Sequence, residues 1–483
     1  MAAMQLNPEL VKRSLSAHSV IGLVVGVLMY LICLTGALAA LAETFDRWEQ
    51  PDVAEFSQVA PAAIDTAMKQ FREEIDASPE SLWVVFPTAE FPRMHVTSGE
   101  QERFTYSDGS LGPEPVEGWT HMLRELHIQL HLPQTIGLVL VSAMGAMLIA
   151  LILSGLFAHP RLFKDAFRLR LGGSRRLEQA DIHNRLSVWA LPFHLMIGVT
   201  GAFYGLVGLL VISAAAAWYD GDQDALINSV YGEDPVLQGQ PPALDTAAAM
   251  AQLEQRHPGV VPLYLVGQQL DTEHQFMEIA AAVPGRLAYS EIYRFDAAGQ
   301  YLGSQGLTSG PIGRQALYSL YRIHFGYFGG QGVRVLWLVL GLSLTVVSVT
   351  GINIWLAKRN QRDGLERAWV GFVWGTPLAL TVSAFASVFT PLSGLPVFLL
   401  CLLASVVAGL ESADVVRTAV RLKAFSALAL ALLAGCHLLI FSPLEFGVYL
   451  WWLNGGLLCT ALGFGLAAYR GGQSEQPLMT AVH

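Results

Sequence analysis

Four histidines stand at repeated positions in this 483-residue chain. His18 and His183 each precede a Thr-Gly-Ala by the same apolar spacing of sixteen residues. His127 and His324 each precede a second apolar stretch, which ends in a Ser-Gly or Thr-Gly pair 27 and 26 residues farther on. An imidazole inside a bilayer is costly, so such histidines usually bind metal or haem or handle protons. These four are therefore the first candidates for chemistry.

Two imidazoles bind one haem iron from opposite faces, which requires two different helices. In a duplicated chain the natural pairs are His18 with His183 and His127 with His324. These pairs predict one haem near each side of a membrane, an arrangement that carries electrons across it. For any one histidine, capping of helix carbonyls or a position among lipid headgroups is the alternative. The shared register of all four favours ligation.

Two further histidines and three arginines are secondary candidates. His131 follows His127 by four residues, so on one helical face both cannot bind the same iron. It is a candidate hydrogen-bond partner of a ligand, a propionate contact or an alternative ligand. His194 lies near mid-membrane, and its repeat equivalent is Met29, which favours a satisfied core histidine over a third redox site or a proton path. The candidates for haem propionates, or equally for headgroup phosphates, are Arg124, Arg322 and Arg334.

The elements that position these residues are predicted to be membrane helices. The chain is 53% hydrophobic and 14% charged, with a mean hydropathy of +0.44, which excludes a single soluble core. We expect a mainly α polytopic membrane protein with about eight transmembrane helices. Pro391 and Pro396 also allow a re-entrant break between the fifth and sixth. The apolar runs are 18–42, 134–157, 186–216, 333–357, 370–391, 395–410, 424–442 and 447–469.

Basic residues set the predicted orientation. They concentrate in the connection 161–185 and after the fourth span, which the positive-inside rule places in the cytoplasm together with both termini. The two long loops are then external, and they hold most of the carboxylates. This slightly favours a cationic or metal-bearing ligand there, although a solvated acidic surface is the more common meaning of such a composition. The basic residues are Lys12, Arg13, Arg161, Lys164, Arg168, Arg170, Arg175, Arg176, Arg185, Lys358, Arg359, Arg362, Arg367 and Arg470.

Each external loop is predicted to fold as a small α+β module. The first, 43–130, contains an amphipathic helix at Pro61–Ala77 and three short extended runs. The second, 217–325, repeats this plan with a helix at Ala243–His257. Span, module and span thus form an internally duplicated unit. The predicted divisions are a first repeat at 1–160, the basic loop at 161–185, a second repeat at 186–358, a block of about four helices at 369–470 and a tail at 471–483.

The helices that lead into the second and fourth spans need a break near His127 and His324. A straight helix from His127 to Ser154 would separate the two residues by roughly 40 Å, too far for electron transfer between haems at its ends. Pro133 and the glycines of 329–332 are expected to break these helices. His127 and His324 then fold back toward the membrane.

The cofactor is expected to be two non-covalent haem b groups. All four cysteines lie in predicted spans, and no Cys-x-x-Cys-His attachment site exists. The first apolar run is too long for a signal-peptide core and is retained as a span. No Gly-x-Gly-x-x-Gly follows a strand, and the cytoplasmic loops are too short for a flavin domain. The electron donor must therefore be another protein, a quinol or a soluble reductant, and no nucleic-acid partner is expected.

Several short motifs occur together in this chain. They are the histidine and Thr-Gly of the first and third spans, Leu126-His127, Ile323-His324-Phe325-Gly326, Gly329-Gly330, Arg334, Thr350-Gly351 and Trp355. Combined with the external modules, these motifs resemble the PepSY-associated transmembrane family. That family includes inner-membrane iron-regulated proteins and di-haem ferric-siderophore reductases of Gram-negative bacteria. The resemblance covers about residues 10 to 360, and the block after 369 extends beyond the four-span core of those reductases.

The resemblance implies haem b ligation by His18, His127, His183 and His324 and reduction of a ferric chelate on the periplasmic side of the inner membrane. We expect electrons to enter at the cytoplasmic haem, to cross to the outer haem and to reduce Fe(III) held by PepSY-like modules. The alternative is a non-enzymatic scaffold or transport accessory whose modules bind a protein or peptide. A proton-coupled transporter is disfavoured, because the spans nearly lack acidic residues.

Overall fold

The computed structural model describes residues 7–75, 79–159, 161–167, 174–241, 243–359, 363–441 and 447–473. Within them the chain forms sixteen helices and seven strands. The helices are α1 (Pro8–Ala39), α2 (Ala42–Glu49), α3 (Pro61–Ile75), α4 (Trp119–Ile128), α5 (Gln134–Ala158), α6 (Leu162–Asp165), α7 (Arg175–Trp189), α8 (Leu191–Trp218), α9 (Gln223–Tyr231), α10 (Thr246–Arg256), α11 (Ile312–Phe325), α12 (Gly330–Arg359), α13 (Gly364–Phe389), α14 (Gly394–Glu411), α15 (Val415–Phe441) and α16 (Val448–Gln473). The strands are β1 (Ser81–Val85), β2 (His95–Ser98), β3 (Gln101–Phe104), β4 (Val261–Gln268), β5 (Phe276–Ala282), β6 (Glu291–Asp296) and β7 (Tyr301–Ser304).

Eight helices of the described chain are long and apolar enough to cross a membrane. They are α1, α5, α8 and α12 to α16, and each coincides with one predicted apolar run. The prediction of a polytopic, mainly helical membrane protein is confirmed. Their exposed apolar side chains, such as Leu400 and Leu403 on α14, require a lipid environment.

Several predicted spans begin at other residues in the structure, including α13 at Gly364 and α15 at Val415. α1 starts ten residues before His18, because Asn7 caps the backbone N–H of Glu9 and Pro8 occupies the first helical turn. The third run is divided at Ala190 into α7 and α8. His183 therefore lies on α7, a separate helix that precedes the candidate span.

The membrane unit comprises Met1–Pro51, Glu117–Gly205 and Leu336–His483. Its largest apolar core joins the first repeat to the C-terminal block, with Trp48, Leu123 and Phe398 all almost fully buried. Tyr30 of α1 also donates a hydrogen bond of 2.7 Å to the carbonyl of Val373 on α13. The C-terminal helices are thus packed into the same core as the repeats.

The sheet unit comprises Asp52–Val116 and Leu206–Val335. Its strands form one antiparallel sheet in the order β3-β2-β1-β4-β5-β6-β7. The α+β character was predicted, but the two loops share this sheet, because β1 of the first pairs with β4 of the second. α3 and α10 bury Phe71 and Leu253 in the core of this unit.

Only Asp52–Val116 of the first predicted module, 43–130, belongs to the sheet unit. α2 and α4 lie within the predicted 43–130 module, yet both belong to the membrane unit because they pack with its helices. β7 was missed by the sequence analysis. It has four residues, and Gly303 interrupts it with a φ of 151°.

Some predicted features lie outside the described residues. They are Arg168 and Arg170 of the basic connection, Arg362 after the fourth span, the last two residues of the helix predicted at Pro61–Ala77, and 474–483 of the predicted tail.

Two glycines of the first loop provide a matched test of the sheet unit. Both have positive φ, but a Cβ at Gly109 would overlap the carbonyl oxygen of Ala63, whereas a Cβ at Gly99 meets nothing. We expect Gly99→Ala to cost about 1–2 kcal/mol through its backbone conformation alone. Gly109→Ala should cost a further ~1–3 kcal/mol because the turn must move away from α3. Hydrogen exchange of the β2 and β3 amides in the purified protein measures the difference, and equal protection in both variants would contradict it.

Candidate functional site

His18 and His183 lie next to each other in the membrane unit. Their ring centroids are 6.2 Å apart and their ring planes are inclined by 86°. With a metal–nitrogen bond of about 2.0 Å on each side, two imidazoles that share one metal ion have centroids roughly 6 Å apart. The structure therefore brings together the first predicted pair at a spacing that fits two axial ligands of one iron.

The Nδ1 atom of each ring is held by a carbonyl of another helix. His18 Nδ1 lies 3.0 Å from the Leu151 oxygen on α5, and His183 Nδ1 lies 3.0 Å from the Val347 oxygen on α12. A carbonyl oxygen can only accept, so each Nδ1 carries the proton and donates it. The neutral ring then carries its lone pair on Nε2, as a metal ligand requires.

A hydroxyl residue and a glycine follow each of these carbonyls. Ser154 and Thr350, three residues beyond the carbonyls, place their hydroxyl oxygens 3.3 Å and 3.2 Å from the same Nδ1 atoms. Gly155 and Gly351, one residue farther, lie under the imidazole rings. The two halves of the chain thus hold their histidines with the same device.

His127 is held in the same way by α1. Its Nδ1 lies 3.0 Å from the carbonyl oxygen of Ile32, with Thr35 three residues and Gly36 four residues beyond that carbonyl. A Cβ at Gly36 would overlap the His127 ring. Three of the four predicted histidines therefore donate to a carbonyl that stands four residues before a glycine.

The sequence analysis found these Thr-Gly and Ser-Gly pairs but gave them no role beyond marking the repeat. Their function is visible only in the packing, because the group that binds each histidine is a backbone carbonyl. The glycine is the signal that points to it, since it lets an imidazole approach the helix backbone closely.

The break between α4 and α5 lies at Leu130 and His131, which have left-handed φ values of 56° and 52°. It lies close to the position predicted from Pro133. His131 Nε2 is 2.9 Å from the carbonyl oxygen of Met122, so the ring folds back along α4. The assumption that His127 and His131 share one helical face is wrong, because α4 ends at Ile128.

His194 is buried in α8 with only 2% of its surface exposed. Its Nε2 lies 3.3 Å from the hydroxyl oxygen of Ser343 on α12. This geometry fits the interpretation as a satisfied core histidine.

His324 lies in the last turn of α11, in the sheet unit. The helix ends at Gly326, whose φ is 74°, and α12 begins at Gly330, so the second predicted break is present near its glycine run. The pairing of His324 with His127 stays a prediction.

The three candidate arginines each contact a protein group. Arg124 pairs with Asp46, Arg322 Nη1 donates to the Arg286 carbonyl oxygen at 2.9 Å, and the Arg334 guanidinium stacks 4.6 Å from the Tyr327 ring centre. Their predicted contact with haem propionates stays untested.

The α4 helix that carries His127 is capped by a carboxylate. Glu49 of α2 accepts from the backbone N–H groups of Trp119 and Thr120 at 2.6 and 2.8 Å. Burial raises the pKa of Glu49 to about 6, although the two N–H bonds oppose this shift. A negative group at a helix N-terminus is favourable, so the cap fixes the start of α4.

No group of three or more His, Cys, Asp or Glu side chains in the described part of the chain is arranged to hold a metal ion.

A family model described as the PepSY-associated TM region matches residues 15–358. The chain belongs to this family. The match includes both repeats and all four histidines of the predicted pairs. It ends before α13, so the C-terminal block lies beyond the part of the chain that the PepSY-associated family model covers.

An uncharacterized protein of Pseudomonas aeruginosa is similar to this PepSY-associated chain. The two are 29% identical over 240 residues, which cover 46% of this chain and 60% of the relative. The match thus spans less than two thirds of that protein, and its name assigns no activity.

The glycines under the histidines give a graded prediction. Gly36→Ala should destabilise the protein by about 1–3 kcal/mol, because its Cβ would overlap the His127 ring. Gly155→Ala should have a smaller effect, since its Cβ would lie 3.2 Å from His18. Gly351→Ala, with 3.5 Å to His183, is the matched control and should be neutral or slightly stabilising. Thermal unfolding in detergent should rank the three in this order, and a Gly36→Ala protein as stable as Gly351→Ala would refute it.

Proposed function

We propose that this chain is a haem b oxidoreductase of the bacterial inner membrane that reduces a ferric chelate on the periplasmic side. The observation that carries the proposal is the pair His18 and His183. These two residues come from different halves of the duplicated chain, their ring centroids lie 6.2 Å apart, and both Nδ1 atoms are bound to carbonyl oxygens of other helices.

The residues fit a bis-histidine haem site in three respects. The centroid separation of 6.2 Å suits one iron between the rings. The Nδ1–H bonds fix the ring orientation and make Nε2 a better donor. Gly155 and Gly351 leave room for both imidazoles against the helix backbones. Buried histidines that served only as helix caps would not need to lie next to each other.

When bound, haem b supplies one-electron chemistry between Fe(III) and Fe(II). In this proposal His18 and His183 hold the inner group, and His127 is a ligand of the outer one. The proposed orientation has both termini in the cytoplasm, following the basic residues of the connection 161–185. An unidentified quinol, protein or soluble reductant is the donor.

The substrate that we propose is a ferric siderophore or another ferric chelate. Hard oxygen ligands hold Fe(III) much more tightly than Fe(II), so transfer of one electron to the complex releases the metal. In this proposal the sheet unit binds the ferric chelate. A scaffold that binds a protein or peptide remains the alternative function.

The first test is the haem content of the purified protein. We expect low-spin b-type bands in the oxidised and dithionite-reduced spectra and about two haems per chain in a pyridine haemochrome assay. His18→Ala or His183→Ala should remove one haem and leave the other, because each residue serves one site only. His274→Ala, a change at an exposed histidine of the sheet unit, is the control and should retain both.

The second measurement is reoxidation of the reduced protein by a ferric hydroxamate, read from the haem bands. Wild-type protein should be reoxidised, with Fe(II) trapped by a ferrous chelator. A colourless protein from haem-replete cells would rule out the redox proposal and leave the scaffold alternative. Retention of both haems in His18→Ala and His183→Ala would refute this pairing.

A further inference from the structure

Helix α2 connects the C-terminal block to the helix that carries His127. It follows α1 directly and has only eight residues. Within the membrane unit it contacts α4 through its acidic residues and α16 through Trp48.

Three buried side chains close a ring of hydrogen bonds at this junction. Trp48 Nε1–H donates to Asn454 Oδ1 at 3.2 Å. Asn454 Nδ2–H donates to His437 Nδ1 at 3.3 Å, and His437 Nε2–H donates to the Trp48 carbonyl oxygen at 2.9 Å. The His437 and Trp48 rings also stack, with centroids 4.4 Å apart.

The closed set of three hydrogen bonds determines which atom donates and which accepts in each bond. The Trp48 carbonyl requires a proton on His437 Nε2, so His437 Nδ1 accepts and Asn454 must turn its amide nitrogen toward it. All three side chains are no more than 1% exposed. A buried polar group that loses its partner is costly, so removal of one member destabilises the other two.

Two carboxylates of α2, those of Asp46 and Glu49, hold α4. The Glu49 carboxylate receives the first two backbone N–H groups of α4, and Asp46 pairs with Arg124 one turn before His127. Since Trp48 and Glu49 are adjacent, a shift of Trp48 moves the carboxylate that caps α4.

α4 is also packed directly against the C-terminal helices. Its buried residues recur at the spacing of one helical face, and they share a core with Phe398 of α14, Leu433 of α15 and Leu453 of α16. His127 instead reaches the α1 carbonyl of Ile32. The apolar residues of α4 in this core are Trp119, Met122, Leu123 and Leu126.

We propose that Trp48, His437 and Asn454 are positioning residues that let the C-terminal block fix α4 and hence the direction of His127. The inference rests on the proposed function, in which His127 binds the outer haem. The proposal gives a role to the C-terminal block, which lies beyond the family match. These helices hold α4 in place, because α4 is short and a break separates it from α5.

The test is Asn454→Leu in the full-length protein, because leucine keeps the volume but removes both the acceptor for Trp48 and the donor for His437. Two properties are measured: hydrogen exchange of the α4 amides, and the electron paramagnetic resonance spectrum of the oxidised haems. The two haem signals are assigned beforehand with His18→Ala and His127→Ala. Ser426→Ala on α15 is the matched control, because its buried hydroxyl bonds only within its own helix to Leu422.

We expect several-fold faster exchange in α4 of Asn454→Leu and a changed g tensor or a several-fold loss of the His127 haem, with the His18 haem unchanged. Trp48→Phe, which keeps an aromatic ring but lacks the N–H donor, should give a smaller change of the same kind. This second variant also tests the inference if Asn454→Leu does not fold. Ser426→Ala should match the wild type.

Three outcomes decide against the inference or separate it from the proposed function. An unchanged His127 haem and unchanged α4 exchange in both variants would overturn it, and so would equal changes at both haems. A wild-type protein without haem would refute the proposed function. In that case α4 exchange decides whether the ring fixes α4: faster exchange in the variants supports this, and unchanged exchange contradicts it.

Discussion

The arrangement of the membrane unit depends on how a neutral imidazole satisfies its N–H inside a membrane. No water is available there, so the proton must go to a protein acceptor. In His18, His127 and His183 that acceptor is a backbone carbonyl of a neighbouring helix, and a glycine stands four residues beyond each carbonyl. At Gly36 a Cβ would overlap the ring, at Gly155 it would be tight, and at Gly351 it would only touch the ring. Each histidine thereby fixes the distance and register of two helices at once.

The same constraint explains why the C-terminal block is packed into the repeats. α4 has ten residues, too few to form a stable helix in isolation, and the left-handed residues Leu130 and His131 separate it from α5. Its position must come from neighbours. The cap from α2 and the core shared with α13 to α16 supply this, so the position of His127 depends on chain segments distant in sequence.

Much of the architecture could be predicted because long apolar runs and repeated histidines leave signals in the sequence. The break between α7 and α8 was not predicted, although Pro192 in the first turn of α8 is a residue typical of a helix start. The joint sheet was also hidden: alternation predicts strands, but nothing local indicates that β1 pairs with β4. At the site, the four histidines were predicted from their register, whereas the acceptors of His18, His127 and His183 are backbone carbonyls that only the glycine four residues farther on indicates.

The pairing of β1 with β4 has a consequence for synthesis. β1 ends at Val85, and β4 begins only at Val261. At about 5–20 residues per second, one edge of β1 stays open for roughly 10–35 s of translation. During that interval the first repeat presents an unpaired strand whose natural partner has not yet been made, an edge that other chains can join. The duplicated halves are therefore not independent folding units: each supplies the strand that closes the other.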